Sequence, residues 1–232
     1  MTIAVYFDLD GTLCSYTRPF DEQFAATVEP YGTPTDDAYE VYVDRLFEAL
    51  GNCESDPYRR AFEAVAETID LDATPATLAR DHCETELDAT AVPADAKLVF
   101  ERVAETNPTG ILTNGDGAQQ RAKIDRHGLD DLVDEVIVSN DAGARKPDRR
   151  IFDLARERLP ADDHVYVGDT YEEDIVGARS AGFRTVYVAD DRGEDPVETG
   201  AADAVASSVD DLLDPSALPE AIQEPFAPSN PK

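Results

Sequence analysis

The sequence predicts an α/β protein: a parallel sheet wound with crossover helices and interrupted, after its first strand, by a helical domain. Three observations predict it. Short, nearly continuous apolar runs of strand length recur along the chain. Helical stretches lie between the later ones. Between residues 15 and 92 the pattern turns to helices alone.

Ile3-Ala4-Val5-Tyr6-Phe7 is the first run, and its near-continuity is that of a strand buried on both faces. Gly110-Ile111-Leu112-Thr113, Glu135-Val136-Ile137-Val138, His164-Val165-Tyr166-Val167 and Thr185-Val186-Tyr187-Val188 repeat it, and Ala204-Val205-Ala206-Ser207 reads as a last edge strand. Helices are expected near 94–106, 118–127, 149–158 and 172–181, with His127-Gly128 and Ala181-Gly182 as ends that place Gly at C′. Strand, helix, strand at this spacing means a parallel sheet wound with crossover helices.

After Leu13, segments 20–28, 37–50, 58–69 and 75–87 carry apolar residues at helical spacing, punctuated by Pro30, Pro34, Pro57 and Pro75. A crossover is normally far shorter than this stretch, so a separate bundle is expected. The expected boundaries are 1–14 and 93–213 for the sheet domain and 15–92 for the helical insert. The Pro-rich 214–232 is expected to be a disordered tail with little order past Leu218.

Among 232 residues, 50 are acidic and 20 basic, a net charge of −30; 31 of the acids are Asp, and only 4 of the bases are Lys. Hydrophobic residues still make up 42%, enough for a core. Such a surface repels phosphate backbones and anionic bilayers, so neither nucleic acid nor membrane is an expected partner. The acids are spread along the whole chain, which fits a halophilic, salt-rich cytoplasm that screens them, and stability is then expected to rise with salt. Cys14, Cys53 and Cys83 match no disulfide or zinc spacing, and Met1-Thr2-Ile3-Ala4-Val5 lacks a basic leader. A cytoplasmic location is expected.

Ligands of parallel sheets bind beyond the carboxyl ends of the strands. There the first strand ends in Asp8-Leu9-Asp10-Gly11, and the second in Thr113-Asn114-Gly115. Arg145-Lys146-Pro147 follows the third strand. The fourth ends in Gly168-Asp169, with Asp174 five residues on. Alone, Asp-x-Asp is also what a helix cap supplies. Four pieces at successive strand ends are more than capping produces. Acids gathered at one edge repel each other unless a cation sits among them, and hard oxygen donors suit Mg²⁺. His82, His127 and His164 are scattered and fit no triad.

These four pieces resemble the motifs of the haloacid dehalogenase-like (HAD) hydrolase superfamily, and 15–92 resembles its small α-helical cap. The resemblance implies a Rossmann-like three-layer sandwich and a phosphatase acting on a small phosphorylated metabolite. It implies Asp8 as nucleophile and Asp10 as general acid and base. Thr113, Asn114 and Lys146 are then the phosphate-binding residues. Asp8, the Asp10 backbone oxygen and Asp169 are the metal ligands, and Asp174 supports them. Asp10 argues for phosphoryl transfer, because strictly dehalogenating members usually lack the second Asp. The run Gln119-Gln120-Arg121-Ala122-Lys123-Ile124 after Asp116 looks most like acylneuraminate phosphate phosphatases and nucleotidase-type members. A phosphosugar mutase of the same superfamily is the alternative within the family. A phosphorylation-switched receiver domain is the alternative outside it, although receivers place their acids before the Thr and Lys and have no large insert. Arg18 lies just past the opening loop, where a cap residue can touch a substrate, but a solvated helix start is the favoured reading of it.

Overall fold

The computed structural model describes residues 1–189 and 199–228. Its strands are β1 (Ile3–Phe7), β2 (Ser15–Tyr16), β3 (Thr90–Ala91), β4 (Thr109–Thr113), β5 (Glu135–Val138), β6 (Asp163–Gly168), β7 (Arg184–Val188) and β8 (Ala204–Ala206). The helices are α1 (Phe20–Val28), α2 (Asp36–Gly51), α3 (Pro57–Val65), α4 (Pro75–Asp88), α5 (Ala94–Ala104), α6 (Gly117–Arg126), α7 (Ser139–Ala142), α8 (Arg149–Arg158), α9 (Gly177–Ser180) and α10 (Glu220–Gln223).

Six strands form one sheet in the order β5-β4-β1-β6-β7-β8, every neighbouring pair parallel. The alternation of side chains along β1 divides the core. Ile3, Val5 and Phe7 face one layer with Phe100 and Val103 of α5. Tyr6 faces the other with Ile151 and Phe152 of α8. The sheet is thus covered on both faces, and β1 lies near its centre, where its carboxyl end is flanked by β4 and β6.

Helices α1–α4 close around their own core, in which Phe24, Tyr42, Phe62 and His82 pack ring against ring. His82 is 4% exposed, and burial lowers its pKa to about 4, so it sits there neutral, with Nδ1 3.0 Å from Thr27 Oγ1. The bundle joins the sheet domain through two chain crossings. These pair as an antiparallel ribbon, Ser15 opposite Ala91 and Tyr16 opposite Thr90. The sequence carried no signal for so short a pairing.

The C-terminal segment corrects the expectation of a disordered tail. Pro215–Ala217 and Glu224–Phe226 are 3-10 turns that flank α10, and Leu218, Ile222 and Phe226 are buried in the same core layer as Phe100. The Arg102 guanidinium donates to Leu213 O (2.8 Å) and Asn107 Nδ2 to Pro225 O (3.1 Å). Proline spacing suggested disorder; the apolar side of α5 that needs a cover outweighs it. Residues 229–232 of that expected tail lie outside the described residues. Among the described residues no helix is long and apolar enough to cross a membrane.

Phe226 is fully buried, so Phe226→Ala is expected to destabilise the sheet domain by about 3–5 kcal/mol in urea unfolding. An unchanged midpoint would mean that the segment does not stay docked in solution.

Candidate active site

Asp8 follows the last residue of β1, and its backbone N–H continues the sheet by donating to Val167 O (2.9 Å). The chain then turns sharply: Gly11 adopts φ +90°, and a Cβ there would collide with the Asp169 carboxylate. That missing side chain lets Asp169, from the end of β6, lie against the β1 loop, where Thr12 Oγ1 donates to Asp169 Oδ1 (2.8 Å).

Lys146 enters from the loop before α8 and is 2% exposed. Its ammonium donates to Asp8 Oδ1 (2.8 Å), Asp174 Oδ1 (2.5 Å) and the Tyr166 hydroxyl (2.8 Å). The stretch expected as one helix near 172–181 begins instead as a π-helical turn, Tyr171–Val176, before α9. Asp174 lies in the wider turn, fully buried, and Thr170 N donates to its Oδ2 (2.9 Å). Widened turns of this kind re-aim a side chain at functional sites. Gly168 makes room, since a Cβ there would meet the Asp174 carboxylate at 2.5 Å.

Asn114 clasps the backbone of Lys146. Its Nδ2 donates to Lys146 O (3.2 Å), and its Oδ1 accepts from Lys146 N (2.9 Å). Nδ2 also donates to Glu173 Oε2 (2.7 Å), while Arg145 holds the other Glu173 oxygen (2.8 Å). The carboxamide of Asn114 is therefore occupied within the protein.

Asp8, Asp169 and Asp174 each present an oxygen within 4.8 Å of the others. One ammonium cannot neutralise three carboxylates. Burial raises the Asp8 pKa well above the usual carboxylate range, more than Lys146 pulls it down, with Asp174 and Asp169 adding to the rise. Burial, then Asp174, pushes Asp169 up to about 6. Burial alone would discharge Lys146, but Asp174 and Asp8 outweigh it and keep it charged. An all-oxygen set with excess negative charge, in a space cleared by two glycines, fits a divalent cation.

The Asp10 side chain lies outside that cluster. Lys123 Nζ donates to both its oxygens (3.0 and 3.1 Å), and Gln120 Nε2 to Oδ2 (2.8 Å). Gln120 also donates to Thr113 Oγ1 (2.8 Å), so Thr113 and Asp10 share one amide. Burial would discharge Lys123, but Asp10 and Glu86 outweigh it and keep it charged. Beside the acids opens a cleft of about 400 Å³ lined by Gly11, Asp169, Tyr16, Arg18 and Phe20. Arg18 is exposed and makes no ion pair among the described residues.

The sequence thus points to the residues that converge here but not to those that orient them: Tyr166, Glu173, Thr12 and Glu86 carry no signal, and Gln120 and Lys123 stand out only within a run that resembles certain family members, with no role attached. One signal was available. Gln120 and Lys123 lie three apart on one face of α6, in a chain with only 4 lysines.

Residues 4–182 match the family model described as haloacid dehalogenase-like hydrolase. The glyceraldehyde 3-phosphate phosphatase of Pyrococcus furiosus is 28% identical over 193 residues, 79% of each chain. The ribulose-1,5-bisphosphate 5-phosphatase of Halopiger xanaduensis is 31% identical over 222 residues, 89% of this chain and 92% of that one. Among solved structures, a 2-haloacid dehalogenase from Pseudomonas syringae pv. Tomato DC3000 superposes with a TM-score of 0.70 at 25% identity. It covers 91% of this chain and 96% of its own.

Raised acid pKa values mean that the metal-free site destabilises the fold increasingly as pH climbs from the ordinary carboxylate range through about 6. Added Mg²⁺ is therefore expected to raise Tm at pH 7.5. At pH 5 its affinity should be weaker by about tenfold, because a proton must be displaced. Thermal-shift titrations at the two pH values check this; equal affinities would mean that the acids titrate as ordinary carboxylates.

Proposed function

Since the chain belongs to the haloacid dehalogenase-like hydrolase family, on its phosphatase branch, we propose that it hydrolyses a small phosphomonoester with Mg²⁺, through an aspartyl-phosphate on Asp8. The observation that carries this reading is the Asp8 carboxylate held by Lys146 within the three-acid cluster. A nucleophile must be anionic yet able to approach an anion. Lys146 orients it and offsets part of both charges.

Asp8, Asp169 and the Asp10 backbone oxygen would hold the metal, with Asp174 in support. When bound, Mg²⁺ supplies the positive charge that lets phosphate and carboxylate meet. An Asp8 oxygen attacks phosphorus as the ester P–O bond breaks, and Asp10 protonates the departing alkoxide. Asp10 then takes a proton from water, which attacks phosphorus and breaks the Asp8–phosphorus linkage. Thr113 offers its hydroxyl to the phosphoryl group. Asn114, its carboxamide occupied, offers its backbone N–H.

The cleft beside Asp169 has the volume of a small-metabolite site. With relatives named for phosphorylated triose and pentose substrates, a short sugar phosphate is the substrate class this reading favours. Arg18 is placed to meet its distal polar groups. The bundle over residues 15–92 acts as the cap of this site, and the acid-rich surface supports a salt-rich cytoplasm as the setting.

The test is phosphate release from a panel of phosphomonoesters in high salt. EDTA is expected to abolish it and Mg²⁺ to restore it. Asp8→Asn should slow turnover by at least about a hundredfold; near-wild-type activity would refute the covalent route. Arg18→Ala is expected to change kcat/KM between sugar phosphates while p-nitrophenyl phosphate changes less than about threefold, whereas Lys146→Ala should damage both. Equal losses on every substrate in Arg18→Ala would leave Arg18 without a role in selection.

A further inference from the structure

Lys123 takes no part in the steps above, yet it is 1% exposed and placed between the catalytic loop and the cap. Its ammonium reaches Asp10 (3.0 and 3.1 Å), Glu86 Oε1 (2.8 Å) and the Tyr16 hydroxyl (2.6 Å). Those contacts use all three donors of an ammonium. The partners come from three separate parts of the fold: the loop after β1, the hinge strand β2 and the cap helix α4. We propose that Lys123 is a positioning residue that couples the seating of the cap to the orientation of the Asp10 carboxylate, with Glu86 as the cap's half of the contact.

Glu86 is itself held firmly. Its second oxygen accepts from the Tyr58 hydroxyl of α3 (2.7 Å), and its first also accepts from Tyr16 (3.0 Å). It is 5% exposed, so its charge has little recourse to water. The helix that carries Lys123 meets α4 a second time, where Gln119 Nε2 donates to Cys83 O (3.0 Å). Gln120, the residue between this cap contact and Lys123's turn, grips Asp10. One face of α6 therefore seats the cap and orients the acid together.

Among the described residues the two crossings of the β2–β3 ribbon are the covalent links between the two units, so movement of the cap off α6 must part Glu86 from Lys123. Seated, Lys123 divides its charge between two carboxylates and steadies Asp10 from one side. Unseated, Asp10 is the one carboxylate left on Lys123, and the pair draws together. Cap closure thereby sets Asp10 in place for proton transfer, and an open cap leaves it misplaced.

This inference rests on the reading of Asp10 as acid and base, and the two transfers separate it from a merely structural tie. p-Nitrophenolate leaves without needing a proton, so phosphorylation of Asp8 by p-nitrophenyl phosphate does not need Asp10, whereas hydrolysis of the aspartyl-phosphate does. Rapid mixing of Lys123→Met is expected to give a burst of about one p-nitrophenolate per site at a rate within about threefold of wild type. Steady turnover should fall by at least about thirtyfold, with phosphoenzyme accumulating. Glu86→Gln, which keeps the shape and loses the charge, is expected to show the same split with turnover lower by about fivefold or more.

If Lys123→Met does not fold, Lys123→Arg keeps the charge, misplaces the donors and should split the phases in the same sense. Burst and turnover falling together in the lysine variants would overturn the positioning role. Wild-type turnover in Glu86→Gln would overturn the coupling to the cap. A wild-type protein that releases phosphate from no phosphomonoester overturns the phosphatase reading instead, before any variant is compared.

Discussion

The ammonium of Lys146 lies 2.8 Å from Asp8 and 2.5 Å from Asp174, and the rest of the site is arranged to keep it there. Buried like charges repel strongly where water cannot screen them, so carboxylates gather only around cations. Tyr166 takes the third proton of Lys146 and passes its own to the β4 carbonyl of Leu112. Asn114 fixes the backbone of Lys146, and Glu173 with Arg145 fixes Asn114. The π-helical turn brings Asp174 into range. Each of these devices is polar and satisfied, and those nearest the ammonium are buried, which is what makes a charged centre tolerable inside a sheet protein.

Lysine is the scarcest charged residue in a chain with 50 acids. Two of its 4 lysines are buried at this one edge, each bridging two carboxylates. Lys146 ties strand ends within the sheet domain; Lys123 ties the sheet domain to the cap. Surface negative charge is cheap in a salt-screened medium, but an interior pair feels little of that screening. The positive side chains that matter most are thus the ones hidden from solvent.

The helical bundle complements this division. It has its own aromatic core and does not need the sheet for burial, so the two units meet through polar contacts and one narrow ribbon. An interface built that way can part without exposing a large apolar face, as movement at a substrate entrance requires. The cleft between Asp169 and Phe20 lies beside that ribbon, with Ser15 and Tyr16 in its lining.

The sequence by itself determined the sheet, the helical insert and the residues brought to the strand ends. Their signals are local: apolar runs of strand length, helical periodicity, and acids, Thr and Lys placed just past each run. Asp8, Lys146, Asp169 and Asp174 meet because a parallel sheet places successive strand ends at one edge. Tertiary structure alone decided which oxygen faces which nitrogen. Gln120 and Lys123 stand out only as part of a run that resembles certain family members, Glu86 reads as an ordinary polar residue of an amphipathic helix, and nothing local says that α4 and α6 face each other 37 positions apart in the case of Glu86 and Lys123. The C-terminal segment shows the same limit from the other side. Its prolines are a local signal against regular structure, while its burial depends on the exposed flank of α5, more than a hundred residues away, which only the folded chain brings beneath Phe226.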